Sequence, residues 1–130
     1  PEREFEVQIG LYQKYLRATE ALAKDYGLKS AYFIQPAPAI GKTLTDEEKQ
    51  LVGDLSYRDV YRKMIGGLMT LRERGLAIYD LGDVFQNETG TIYADAVHAH
   101  FQGKRSRGYE LIAARMADDL AQAWGLKPLP

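Results

Sequence analysis

The chain has 130 residues, 45% of them hydrophobic, with 17 basic and 18 acidic side chains. That size and apolar content suit one domain with a single core. The balanced charge shows neither the basic stripe of a nucleic-acid binder nor a basic membrane-surface helix, and no apolar run is long enough to span a bilayer. Cysteine is absent, which excludes disulfides and thiolate metal ligation but leaves the compartment open.

Pro1 opens directly into a helical pattern, so the chain is expected to be a processed or truncated piece of a longer polypeptide. Phe5, Ile9, Tyr12, Leu16, Thr19, Ala23 and Tyr26 recur at steps of three and four, which predicts a long helix with one mostly apolar face. Gly27 follows where a left-handed residue ends a helix without steric cost. Ala31-Tyr32-Phe33-Ile34 is a short unbroken apolar run, as expected of a strand buried on both faces. Two prolines make the stretch from Pro36 to Gly41 a loop.

Thr45 and Glu48 form a capping box for a short helix running to about Val52. Ser56 and Asp59 are candidate caps for the next helix, whose expected buried face is Tyr57, Val60, Tyr61, Met64, Leu68 and Leu71. Gly66-Gly67 in its middle costs on the order of 1 kcal/mol per glycine relative to alanine, and a tight approach to the sheet is the expected reason. Gly75 ends that helix, and Leu76-Ala77-Ile78-Tyr79 reads as the second strand. A turn at residues 87–90 and a short extended piece at Thr91-Ile92-Tyr93-Ala94 lead into Asp95-Ala96-Val97-His98. The last helix is expected to bury Tyr109, Ile112, Ala113, Met116, Leu120 and Trp124, and to stop at Gly125 and Pro128.

Helices alternating with buried strands argue for an α/β fold with parallel strands. Two strands are too few for such a sheet, which usually has about five or six. The missing strands are therefore expected from an upstream segment of the same protein or from a second chain.

The chemistry concentrates at Asp95 and His98. A histidine accepts a proton from a hydroxyl near neutral pH because its own pKa lies close by. It must keep one ring nitrogen free while the other donates to an orienting carboxylate. A carboxylate three residues earlier on the same loop can fold back to do this. The pair follows the last strand and precedes the last helix, where α/β sheets present functional loops.

The run Tyr93-Ala94-Asp95-Ala96-Val97-His98, followed by a glycine and the helix Gly108-Tyr109-Glu110-Leu111-Ile112-Ala113, resembles the last conserved block of SGNH/GDSL serine hydrolases. The helix ending Tyr26-Gly27 and the strands Tyr32-Phe33-Ile34-Gln35-Pro36 and Ile78-Tyr79-Asp80-Leu81 also resemble members of that family. The likeness runs through most of the chain, but only the Asp-His block is diagnostic. It implies a partial three-layer α/β/α sandwich of the flavodoxin-like type, with residues 1–130 as the C-terminal portion of one domain whose N-terminal strands are missing. It further implies an ester hydrolase or acyl transferase acting on a small-molecule or glycan ester, without cofactor or metal. His98 would be the general base and Asp95 its orienting group.

Two departures stand out. The family's glycine usually follows the histidine by about five positions, at Gly103, whereas the helix match begins at Gly108; a short insertion over Gly103 to Arg107 is expected. The family's Gly-Asp-Ser nucleophile block and its Gly-x-Asn-Asp block are both absent. Only Ser30, Ser56 and Ser106 are present, and Gly53-Asp54-Leu55-Ser56 joins two helices instead of a strand to a helix. The chain is therefore expected to be inactive alone.

Other readings compete. Asp95 and His98 can be a purely structural pair in a non-catalytic binding or assembly module. His98-Ala99-His100 with Asp95 admits a metal site, but no third convincing ligand cluster accompanies it. Gly41-Lys42-Thr43 is not a phosphate loop, because proline stands five residues before the glycine. Lys104-Arg105-Ser106-Arg107 reads as a solvated loop.

Overall fold

A computed structural model describes residues 2–101 and 106–127. The elements are α1 (Glu2–Asp25), β1 (Tyr32–Ile34), α2 (Asp46–Leu51), α3 (Arg58–Met69), β2 (Ile78–Asp80) and α4 (Arg107–Trp124), with a 3-10 segment at Thr70–Arg74 continuing α3. The chain is thus mixed α/β. The strands β1 and β2 pair in parallel, with Tyr32 opposite Ile78 and Ile34 opposite Asp80, and α2 and α3 form the crossover between them.

Local chemistry explains the element ends. Gly27, Gly75 and Gly125 each follow a helical segment with positive φ, at 67°, 86° and 62°. Pro128 lies outside the described residues. At α2 the expected capping box is formed in full: the Thr45 hydroxyl accepts from the Glu48 amide, and the Glu48 carboxylate accepts from the Thr45 amide. The expected cap of α3 is not. Tyr57 occupies the N-cap without a side-chain bond, and the Ser56 hydroxyl is drawn instead to Asp54.

Three apolar clusters hold the chain together. The first sets Ile34 and Ile78 against Leu68, Leu71 and Leu76, with Leu16 of α1 and Met64 of α3 packed on it. The second joins Val52, Phe85, Ile92, Tyr93 and Ala99, and Leu111 and Ile112 attach α4 to it. The third is the Ala37–Ile40 loop under Tyr57 and Tyr61. Strand geometry sends alternate side chains to opposite sides, so Tyr32, Ile34 and Ile78 meet the first cluster while Phe33 and Tyr79 stack on the other face, 5.4 Å apart.

The paired glycines of α3 have a different use from the one expected. A side chain at Gly67 would meet Ile9 Cγ2 of α1 at 2.7 Å, and nothing lies within 4 Å of a side chain at Gly66. Gly67 therefore admits the neighbouring helix, not the sheet. Gln13 of α1 reinforces the contact by donating to the Gly67 carbonyl at 2.6 Å.

The expected helix faces need adjusting. Tyr12 and Thr19 of α1, Tyr26 just beyond it, Val60 of α3, and Tyr109 and Ala113 of α4 are exposed. Among the described residues no third strand pairs with the outer edge of β1, and a cavity of about 520 Å³ opens there between Tyr12 and Leu16 of α1 and Tyr61 and Met64 of α3. No helix of the described residues is long and apolar enough to cross a membrane.

Candidate active site

The Asp-His loop is the tip of a short hairpin. Tyr93 and Ala99 form an antiparallel bridge, and the Ala94 amide donates to the His98 carbonyl at 2.9 Å. One buried carboxylate fixes where the hairpin begins. Glu48 accepts from the amides of Ile92 at 2.7 Å and Tyr93 at 3.0 Å, while its other oxygen takes the Thr45 amide and the Lys42 ammonium. The side chains of Glu48 and Lys42 are fully buried, 2.6 Å apart. Burial opposes ionisation of Glu48, but Lys42 and the three backbone donors outweigh it and hold the carboxyl at about 2.

Within the tip, Asp95 Oδ1 accepts from the amides of Val97 and His98, each at 2.7 Å. This is an Asx turn, in which a short carboxylate replaces a backbone carbonyl. The same carboxylate receives the imidazole: His98 Nδ1 lies 2.9 Å from Oδ2 and 3.2 Å from Oδ1. The His98 and Val97 amides, with the ring, keep the Asp95 carboxyl at about 2. An ionised acceptor at Nδ1 places the proton of the neutral ring on that nitrogen and leaves Nε2 with its lone pair. The His98 side chain is 69% exposed and that of Asp95 55%, so the ring is not walled off.

Position in the fold follows from the strands. His98 and Val97 line a small hollow of about 100 Å³ with Gln35 and Pro36 at the exit of β1, Phe85 beyond β2, Tyr93, and Tyr109 and Ile112 of α4. The imidazole thus stands beyond the carboxyl ends of both parallel strands, the edge at which open α/β sheets bind ligands. Tyr61 steadies this rim by donating to the Gln35 carbonyl at 2.7 Å, and Arg58 Nε donates to the Ala39 carbonyl at 2.7 Å. The Tyr93 hydroxyl is buried beneath it with no partner among the described residues, and burial raises its pKa.

Each of the three serines is occupied elsewhere. Ser30 donates to Glu20, Ser56 to Asp54, and Ser106 to the His100 carbonyl. None bonds His98. His100 is exposed and lines a separate recess with Glu47, Thr91, Ser106 and Arg107, so the structure brings together Asp95 and His98 but not His100. Among the described residues no three His, Asp or Glu side chains converge as metal ligands.

Gly108 is buried at the start of α4, where a side chain would lie 2.6 Å from Ala99 Cβ and 3.1 Å from Ile92 Cγ2; glycine there lets the helix close on the hairpin. Gly103 and most of the expected insertion lie outside the described residues. The Gly41-Lys42-Thr43 segment serves packing. A side chain at Gly41 would meet the Gly82 carbonyl at 1.7 Å, and Lys42 neutralises Glu48.

The Lys42–Glu48 pair was invisible to sequence reasoning. Glu48 was legible as the third residue of a capping box, but nothing in the spacing of Lys42, Glu48 and Ile92 announces that the second oxygen would anchor a hairpin 44 residues away. Comparison with protein-family models, with curated proteins and with solved structures finds no match.

Proposed function

We propose that the chain is the C-terminal portion of an SGNH/GDSL-type serine esterase or acyl transferase, and that it supplies the His-Asp part of a Ser-His-Asp triad. The observation that carries this reading is the imidazole of His98, held through Nδ1 by an ionised Asp95, with Nε2 unengaged among the described residues at the carboxyl ends of parallel strands. In the proposed reaction Nε2 takes the proton of a serine hydroxyl as it attacks the ester carbonyl, then returns it to the leaving alkoxide. Asp95 stabilises the imidazolium formed in between. The nucleophile and the oxyanion donors come from polypeptide outside these 130 residues, and the vacant edge of β1 is where the accompanying strands add. The resulting sheet would be the centre of a three-layer sandwich. A small-molecule or glycan ester is the proposed substrate class.

A second reading has its own support. Asp95 Oδ1 accepts two amides within the hairpin, which is sufficient reason for an aspartate there without catalysis. A non-catalytic binding or assembly module would keep the pair for that purpose.

One experiment separates the two. The protein expressed from its full coding sequence is expected to react with a fluorophosphonate probe and to hydrolyse p-nitrophenyl acetate. Asp95→Ala should cut turnover by roughly 10³- to 10⁴-fold, and His98→Ala should abolish it with the circular dichroism unchanged. The 130-residue chain alone should do neither. Ester turnover by the isolated chain that depends on His98, or a full-length protein inert to the probe, overturns the proposal.

A further inference from the structure

Tyr93 opens the hairpin that bears His98, and its hydroxyl is the anomaly of the site. The residue is 1% exposed, its ring meets Phe85 edge to face at 5.5 Å, and its amide is taken by Glu48. The hydroxyl at the far end of that ring is buried with no partner among the described residues. Withdrawing a hydroxyl from water unpaired destabilises a fold, and phenylalanine would fill the same space without that cost. Packing therefore explains the ring and not the oxygen.

The side chain belongs to the hollow beside His98. Tyr93 and Ala99 face each other across the hairpin, so their side chains leave it on the same side. Both line the hollow of about 100 Å³, with Pro36, Phe85 and Ile112 as further apolar walls and the imidazole among them. An apolar cavity of roughly 150 Å³ holds the six carbons of benzene, so this one has room for about four heavy atoms. Burial raises the pKa of the phenol and keeps it a neutral hydroxyl that can donate. One such group in an apolar wall fixes the place of a single ligand oxygen.

Which half of an ester enters follows from the proton transfer. Nε2 returns the proton to the departing alkoxide, so the alcohol half must lie against the imidazole, and the imidazole is a wall of this hollow. We propose, resting on the esterase reading, that the hollow is the leaving-alcohol subsite. The Tyr93 hydroxyl is its specificity-determining group and pairs with a second hydroxyl on the alcohol. The favoured substrates are then esters of polyols, in which a hydroxyl neighbours the ester oxygen, and only the few atoms around that oxygen enter. Because the Tyr93 hydroxyl is covered, a ligand oxygen meets it as the walls give slightly on entry. A simple alkyl alcohol leaves the hydroxyl unpaired and is disfavoured for that reason.

Acetate release by the protein expressed from its full coding sequence tests this. Isobutyl acetate and 2-hydroxypropyl acetate share an acyl group and differ only by a methyl in place of a hydroxyl. Wild type should favour the hydroxy ester in kcat/KM by roughly tenfold to a hundredfold, and Tyr93→Phe should remove that preference. The same substitution should leave the melting temperature unchanged or raise it, because the lost hydroxyl has no partner among the described residues. The inference alone is overturned by a wild type that labels with a fluorophosphonate probe yet does not distinguish the esters. A Tyr93→Phe protein that keeps the preference, or one whose melting temperature falls, overturns it too. A protein inert to the probe and to both esters overturns the esterase reading itself, and this inference with it.

Discussion

At the scale of single residues, two carboxylates are ionised for opposite reasons. Asp95 is exposed and stays charged because it sits inside an Asx turn facing an imidazole. Glu48 is buried and stays charged because four donors surround it. Both have folded pKa values near 2, below the ordinary 3.8 and 4.5, so each stabilises the fold above its unfolded pKa and loses that contribution as pH falls towards 2. The buried pair should dominate. Glu48→Gln leaves the Lys42 ammonium buried without its counter-charge, and the expected cost at neutral pH is about 3–5 kcal/mol. Urea unfolding at pH 7 and pH 3 measures this, and the gap between wild type and variant should narrow at the lower pH. An equal gap at both values would show that the carboxylate charge contributes nothing.

At the scale of elements, glycines that share a helical pattern separate by what surrounds them. Gly66 faces open space, so Gly66→Ala should stabilise the chain by roughly 0.5–1 kcal/mol through helix propensity alone. Gly108→Ala drives a methyl against Ala99 and Ile92, neither with room to swing away, and should cost about 1–3 kcal/mol. Thermal melts of the two variants should therefore move in opposite directions. This pair also marks what sequence reading reaches. Helix positions, the capping box at Thr45 and the terminal glycines were legible because they depend on neighbours within four residues. The Asp95–His98 contact was legible for the same reason. The covered side of α1 was legible too, since Phe5, Ile9, Leu16 and Ala23 of the expected face are half-buried; that its Tyr12, Thr19 and Tyr26 would stay exposed was not, because it depends on the packing of Ile9 against Gly67 and of Leu16 against the first cluster. The unused caps at Ser56 and Asp59 failed similarly: Asp54, two residues away, takes the Ser56 amide and hydroxyl first.

At the scale of the whole molecule, the described residues satisfy the parallel pair on one side only. The Tyr32 amide donates to the Ala77 carbonyl, and the Ile34 carbonyl accepts from the Leu81 amide. Alternation along a strand then turns the Phe33 amide outward, away from β2. Hydrogen exchange should find Phe33 exchanging much faster than Tyr32 and Ile34 in this chain, and protected in a protein that supplies an adjoining strand. Equal protection of all three in the isolated chain would mean that the edge is already covered. On the proposed reading, the same added polypeptide would supply both a nucleophile for His98 and a strand beside β1.

The Glu48 clasp has a consequence for how the molecule comes apart. Its side chain belongs to the crossover between the strands, yet two of its four bonds reach the hairpin that bears His98. Neither region can open without stranding a buried charge. Crossover and hairpin should therefore be lost in one cooperative step, and the imidazole's placement can be no more durable than the small helix that carries the glutamate.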